Sequence, residues 1–412
     1  MNLKKIDKEF FDLIQKEEKQ QLECLMMIPS ENRCSLGVLE ALGSCFTNKY
    51  AEGYPGKRYY QGVLNSDKLE NLVIERAKKL FKVPYANVQP YSGSVANLEI
   101  YFSILKPGDK ILSLGLNDGG HLTHGSSVSL SSKFFKISHY MLNPDGVLDY
   151  TEIERIALKE KPQLIISGFS AYPRIINWKK FSEIAKKVNC LFMADISHVA
   201  GLIVGGEYPS CANYADIIMT TTHKTLRGPR GAMIMVTKKG LKFDPELGDK
   251  ISKSVFPGMQ GGPHLNNIAA IGVCLKEASL DSFKKYIKQV ILNSKCLSLE
   301  LKKYGFNLVS GGTDTHLILI DLRNLGIDGK EFASVLESVG IICNKNMVPL
   351  DTGNANTPSG IRLGTPFLTS RGMKEKEMKE IALIIKEVLE DASNKEVLKK
   401  LKLKVLNISK KF

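Results

Sequence analysis

At 412 residues, with 43% hydrophobic and 24% charged residues, the chain has an ordinary globular composition and enough length for two domains. No apolar run approaches the ~20 residues that a bilayer-crossing helix requires, so the reading is of a soluble protein with a sizeable core. The net charge of +14, from 57 basic against 43 acidic residues, comes without any RNA- or DNA-binding motif. It reads first as a solvated surface and second as attraction for a polyanion, either nucleic acid or a polyglutamylated ligand.

Residues 1–23 mix Lys4, Lys5 and Lys8 with Asp7, Glu9, Asp12, Glu17 and Glu18, a charged amphipathic helix whose acids set it apart from a signal or transit peptide. Over 67–81, Leu69, Leu72, Val73, Leu80 and Phe81 fall on one helical stripe that suits core packing. A further helix opens at Tyr91-Ser92-Gly93-Ser94 and runs toward Leu105. Apolar runs at 110–114, 134–137, 164–166, 191–194, 217–219 and 232–236 predict strands, and helical patterns at 151–159 and 178–188 lie between them. Continuously apolar strands spaced by helices indicate an α/β fold with a mainly parallel sheet covered on both faces. After residue 271, long helices at 282–304 and 372–390 flank one strand at 316–321, which predicts a smaller C-terminal α+β domain. The expected division is an arm over 1–55, a large domain over 56–271 and a small domain over 272–412. Seven lysines between Lys395 and Lys411 put much of the excess charge on a last helix.

Eight cysteines (Cys24, Cys34, Cys45, Cys190, Cys211, Cys274, Cys296, Cys343) lack C-x-x-C spacing and read as reduced thiols of a cytoplasmic protein. His121 and His124 lie three apart without a third ligand nearby, so no metal site is expected. The chemistry gathers instead at strand ends, where parallel sheets collect ligands. Thr-Thr-Thr-His-Lys-Thr over 220–225 follows the apolar run 217–219 and sets the Lys224 amine where it can be partly desolvated and still reached. Asp195, with Ser197-His198 behind it, ends the preceding strand; it is either a helix cap or a carboxylate awaiting a cation. A pyridoxal 5'-phosphate site needs both an amine for the aldehyde and a carboxylate for the pyridinium nitrogen. Gly93 and Ser94 at a helix start suit its phosphate, although a serine cap alone is common. His121 could stack on a ring, and Arg362, among Gly and Pro turns, offers a fork for a carboxylate or an internal salt bridge.

These residues sit in stretches that resemble serine hydroxymethyltransferases from the N-terminal helix to about residue 395. The matching stretches are Ile28 to Asn32, Asn48 to Tyr60, Gly119 to Gly125, Thr221 to Thr225, Phe256-Pro257-Gly258, Gln260 to Pro263 and Ser359 to Arg362. The resemblance implies an aspartate-aminotransferase-like (type I) fold with a seven-stranded-type sheet, and a homodimer with shared active sites. It implies interconversion of L-serine and tetrahydrofolate with glycine and 5,10-methylenetetrahydrofolate through a pyridoxal-phosphate Schiff base on Lys224. Asp195 would meet the pyridinium nitrogen, His121 the ring face, and Ser170 and His198 the O3' side. Gly93, Ser94, His223, Arg230 and the partner chain's Tyr50 and Gly262 would hold the phosphate, with Thr221 assisting amine exchange. Arg362 would grip the substrate carboxylate near Ser30 and the partner chain's Tyr60, and the partner chain's Glu52 would carry the proton. Tyr59, Leu116, Gly120, Leu122, Asn346, Asn354 and Asn356, with Glu52, would frame the folate.

Three departures bear on folate affinity and substrate preference. Gln61-Gly62-Val63-Leu64 replaces the usual Gly-Gly-x-Glu, Asn354-Ala355-Asn356 replaces Ser-Pro-Phe, and Pro29 replaces Ala. Two other readings follow: a folate-independent aldolase acting on threonine-type 3-hydroxy amino acids, and a non-catalytic member that binds RNA through its basic surface.

Overall fold

The computed structural model describes residues 2–354 and 356–412. Two compact units make up the chain, one formed by Asn32–Lys288 and the other by the residues up to Glu31 together with Gln289–Phe412.

The first unit is built on seven strands: β1 (Tyr85–Asn87), β2 (Lys110–Leu114), β3 (Lys136–Tyr140), β4 (Leu164–Ser167), β5 (Leu191–Asp195), β6 (Ile217–Thr221) and β7 (Ala232–Val236). Their spatial order is β1-β7-β6-β5-β4-β2-β3. Pairings from β3 through β6 are all parallel, and β7 runs antiparallel to both neighbours. Every residue of β4 to β7 is buried, the pattern of strands covered on both faces. Alternate side chains serve opposite layers. Ile166, Met193, Met219 and Ile234 pack with Ala96 and Ile100 of helix Gly93–Ile104 and with Leu247 and Ile251. From the opposite layer, Phe181 of helix Trp178–Lys187 stacks on Phe192, ring centres 5.6 Å apart. The expected mainly parallel α/β sheet is therefore present.

Three local expectations change. Residues Leu130–Phe134 form a short helix, and β3 starts only at Lys136. The Phe134-Phe135 doublet is apolar because both rings meet Phe102, at 5.1 and 5.3 Å, not because it is a strand. Strand β1 escaped notice because it is a three-residue edge strand. In helix Leu64–Phe81 the buried stripe is Ser66, Glu70, Val73, Ala77 and Phe81, while Leu72 faces solvent. Glu70 can be buried because Arg58 Nη2 lies 2.6 Å from its carboxylate and Gln89 Nε2 donates to it at 2.8 Å.

The second unit holds an antiparallel sheet of β8 (Asn307–Leu308), β9 (Leu317–Asp321), β10 (Asn344–Asn346) and β11 (Gly360–Gly364), in the order β8-β9-β11-β10. Its core joins Ile318, Ile320, Ile361 and Leu363 to Phe332, Ile381 and Ile385 of the covering helices. Only β9 was expected; the rest of the sheet is short or rich in Asn and Gly. The N-terminal segment divides into Asn2–Ile6 and Lys8–Glu23, with Asp7 accepting from the Phe10 amide at 3.0 Å as the cap between them. Gly364 lets Pro29 lie against β11, since a Cβ there would be 2.5 Å from Pro29 Cα. The last helix, Lys395–Ser409, buries Leu401, Val405 and Ile408 and leaves Lys399, Lys400 and Lys402 in solvent, with Lys404 paired to Glu387 at 2.8 Å. All eight cysteines are free thiols. Among the described residues, no helix is long and apolar enough to cross a membrane.

Candidate active site

Strand ends β5 and β6 bring Asp195, His198, Thr221, His223 and Lys224 to one edge of the sheet. Asp195 is 8% exposed, and its Oδ2 lies 3.0 Å from His124 Nε2 and 3.4 Å from Asn97 Nδ2. Its other oxygen accepts from the Ser197 amide at 3.1 Å. Burial works to raise this carboxyl, but the His124 hydrogen bond, followed by the electrostatic pull of that ring and of Lys224, outweighs it. Asp195 is held well below the usual carboxylate range. It is an anion across the neutral range.

His121 is its uncharged neighbour. Burial, then repulsion from His124 and Lys224, lowers its imidazole to about 4, against a smaller pull upward from Asp195. Asn97 Nδ2 donates to Thr123 Oγ1 at 2.8 Å, Thr123 Oγ1 lies 2.7 Å from His121 Nδ1, and the Thr123 amide donates to the same nitrogen at 3.2 Å. With Nδ1 accepting, the ring proton belongs on Nε2, and the flat ring is held in one orientation.

Helix Gly93–Ile104 starts against the end of β6: a Cβ on Gly93 would stand 2.6 Å from the Thr221 methyl. Two buried polar atoms beside this close approach, Thr221 Oγ1 and His223 Nδ1, have no hydrogen-bond partner among the described residues. Burial, then Lys224 and Arg230, lowers His223 to about 3, so it too is neutral. Ser94 is exposed in the first turn. Helix amides, a hydroxyl and unspent polar atoms together suit a phosphate.

Lys224 is 9% exposed, and its carbonyl accepts from Asn32 Nδ2 at 2.9 Å. His198 presents its carbonyl to Thr225 Oγ1 at 2.9 Å, and Arg230, exposed, presents its own to Asn267 at 2.7 Å. The Ser170 amide bonds the Gly119 carbonyl at 2.7 Å, tying the exit of β4 to the loop that carries Gly120 and His121.

A second group gathers around Glu52. Its oxygens lie 3.2 Å from the Tyr50 and Tyr60 hydroxyls, and the two rings meet edge to face at 5.0 Å. The Tyr50 ring packs on Gly262, and Tyr59 packs on Phe256 at 5.8 Å. Arg58 fixes this loop by donating to the carbonyls of Ala51 and Gly53, at 2.9 and 2.7 Å, while pairing with Asp67 and Glu70. Tyr50, Tyr59 and Tyr60 are nevertheless exposed.

In the other unit, Arg362 on β11 is buried and donates from Nε to Asn344 Oδ1 at 3.2 Å. Burial lowers it to about 10, which leaves it charged at neutral pH. Ser30 follows the segment that the Gly364 amide ties to the Met27 carbonyl at 2.7 Å. The folate candidates divide between units. Leu116 and Leu122 are exposed in the first unit, as is Tyr59, while Gly120 between the two leucines is buried. Asn346 lies on β10 in the second. Asn354 Oδ1 accepts from the Asn356 amide at 2.8 Å and the Thr357 amide at 3.3 Å, so this side chain is engaged in its own turn. Ala355 lies outside the described residues. Gln61 and Leu64 are both exposed, and Leu64 opens its helix.

The sequence reading missed His124, Asn97 and Thr123, which hold Asp195 and His121. The signal was the His-x-x-His spacing, which a tight turn over Leu122–His124 folds back until the two rings are 5.5 Å apart.

A family model described as serine hydroxymethyltransferase matches residues 3–385. This chain belongs to the serine hydroxymethyltransferase family. It is 51% identical over 410 residues to the serine hydroxymethyltransferase of Desulfotalea psychrophila, covering all of this chain and 95% of that protein. The enzyme of the same name from Wolbachia pipientis subsp. Culex pipiens is 51% identical over 415 residues, covering all of this chain and 96% of the relative. Serine hydroxymethyltransferases depend on pyridoxal phosphate and use tetrahydrofolate as co-substrate. The residues present fit that cofactor: an anionic buried Asp195, a neutral flat His121, and the unspent Thr221 and His223 atoms beside the Gly93 helix start.

Proposed function

We propose that the protein interconverts L-serine and tetrahydrofolate with glycine and 5,10-methylenetetrahydrofolate on pyridoxal phosphate held at the ends of β5 and β6. The carrying observation is the Asp195 carboxylate, kept anionic by His124 next to Lys224. Bound pyridoxal phosphate supplies an electron sink for charge developed at the amino acid's α-carbon. Lys224 provides the amine that holds the cofactor's aldehyde carbon. Asp195 accepts the pyridinium N–H and favours the protonated ring, and His121 covers one face without adding charge. Gly93, Ser94, His223 and Arg230 bind the phosphate, Ser170 and His198 steady the O3' side, and Thr221 lies where it can assist amine exchange. Arg362 presents its guanidinium to the substrate carboxylate near Ser30.

Tyr50, Glu52, Tyr60 and Gly262 of one protomer complete the site of its partner in a homodimer. The exposure of this ordered tyrosine cluster supports that reading. Glu52, between two phenols, carries the proton between the serine hydroxyl and the folate. Tyr59, Leu116, Gly120, Leu122, Asn346, Asn354 and Asn356 frame the folate. The domains are the arm 1–55, the large domain 56–271 and the small domain 272–412. The location is cytoplasmic, a reading supported by eight unpaired thiols. Serine cleavage by the purified protein, assayed with and without tetrahydrofolate, tests the activity. A rate that needs the folate is expected, and equal rates would turn the assignment to a folate-independent aldolase.

A further inference from the structure

The Lys224 carbonyl accepts two hydrogen bonds, from Asn32 Nδ2 at 2.9 Å and from the Arg227 amide at 3.0 Å. The same Asn32 nitrogen lies 2.8 Å from the Tyr286 hydroxyl, and the Arg227 guanidinium sits 4.5 Å from the centre of the Tyr286 ring. One side chain thus touches both groups that hold the Lys224 backbone, with its hydroxyl on one and its ring face on the other. Arg227 needs such a hold. Its φ of +65° is left-handed, a conformation that arginine keeps only where its surroundings enforce it. A cation over an aromatic face supplies that enforcement without a carboxylate that would compete for the charge of Lys224. Tyr286 is itself fixed near the start of helix Asp281–Lys303, where the buried Phe283 ring lies 5.7 Å from it. All these residues belong to the unit Asn32–Lys288.

We propose that Tyr286 is a positioning residue for Lys224, bracing the 224–227 turn through Asn32 on one side and Arg227 on the other. The proposal rests on Lys224 as the cofactor-bearing amine. That amine must return to one place after every turnover, and a displacement of about 1 Å costs on the order of a hundredfold in rate. Tyr286 acts on the reacting centre only through the backbone. Its loss should therefore lower kcat, leave the KM for serine alone, and loosen Lys224 even when no cofactor is bound.

The test compares Tyr286→Phe, which keeps the ring, with Tyr286→Leu, which removes both contacts. For each, kcat and KM are measured in the holoenzyme. The rate at which an amine-reactive reagent labels Lys224 is measured in the apoprotein by peptide mass analysis, alongside a thermal melt. Loss of one hydrogen bond predicts a roughly fivefold lower kcat for Tyr286→Phe, with KM within about twofold and labelling several-fold faster. Tyr286→Leu should be worse by about another tenfold, so that the retained ring acts as a partial rescue. Wild-type kcat and labelling in a well-folded Tyr286→Phe would overturn the proposal, and that variant decides alone if Tyr286→Leu does not fold. Failure of the underlying assignment is seen separately: Lys224→Ala would then keep the cofactor's visible band whatever Tyr286 does.

Discussion

His124 Nε2 stands 3.0 Å from Asp195 Oδ2, and both side chains are buried. The contact fixes the direction of the carboxylate and supplies part of the field that keeps it ionised. Asp195→Asn keeps the shape but removes the charge proposed to meet the pyridinium nitrogen. It should retain cofactor and lose roughly 10²- to 10³-fold in kcat, measured by steady-state turnover beside an absorption spectrum. His124→Ala leaves the carboxylate with Asn97 and the Ser197 amide, and should cost roughly 2–4 kcal/mol in denaturant unfolding. Because the folded-state value of Asp195 is depressed, its stabilisation is present above the ordinary carboxylate range and is lost as pH falls through the folded value.

Glu99 has the opposite sign. It is fully buried on helix Gly93–Ile104, neither carboxyl oxygen has a hydrogen-bond partner among the described residues, and burial raises it from 4.5 to about 8. The folded state therefore binds the extra proton between those values, and stability declines as pH rises across that window. Glu99→Gln should remove the decline and add about 4 kcal/mol at pH 8 while changing little at pH 5, measured by melts at the two pH values.

Arg58 joins a buried pair to the loop that carries Glu52. Arg58→Ala leaves Glu70 buried without its cation and should cost about 3–5 kcal/mol in denaturant unfolding. It also frees the Ala51 and Gly53 carbonyls that aim Glu52, so the activity of the folded fraction should fall as well.

Gly93→Ala places a methyl 2.6 Å from that of Thr221 and forces the helix start away from β6. The fold should survive, while pyridoxal phosphate binding weakens by roughly 10- to 100-fold, read by fluorescence titration of the apoprotein.

The strand interiors and Lys224 were legible because buried parallel strands are uninterruptedly apolar, so a lysine at the end of one is conspicuous. What lay at the edges was not. The three-residue Tyr85–Asn87 and the Asn- and Gly-rich strands that share a sheet with Leu317–Asp321 carry too few side chains to show a period. Glu70 broke the helical stripe because its partner, Arg58, comes from a different segment, and pairing across segments is invisible to periodicity. The support behind Asp195 was hidden likewise. In the sequence His124 reads only as a metal-spacing neighbour of His121, and the turn over Leu122–His124 brings it to the end of β5 instead.

One spectrum decides whether Lys224 at the end of β6 is the amine that holds pyridoxal phosphate. Purified protein and Lys224→Ala are each saturated with pyridoxal phosphate, freed of excess, and compared in the visible range. A lysine-dependent visible band is expected in the unsubstituted protein, and none in a folded Lys224→Ala that still retains cofactor. The same band in both proteins would take that role away from Lys224.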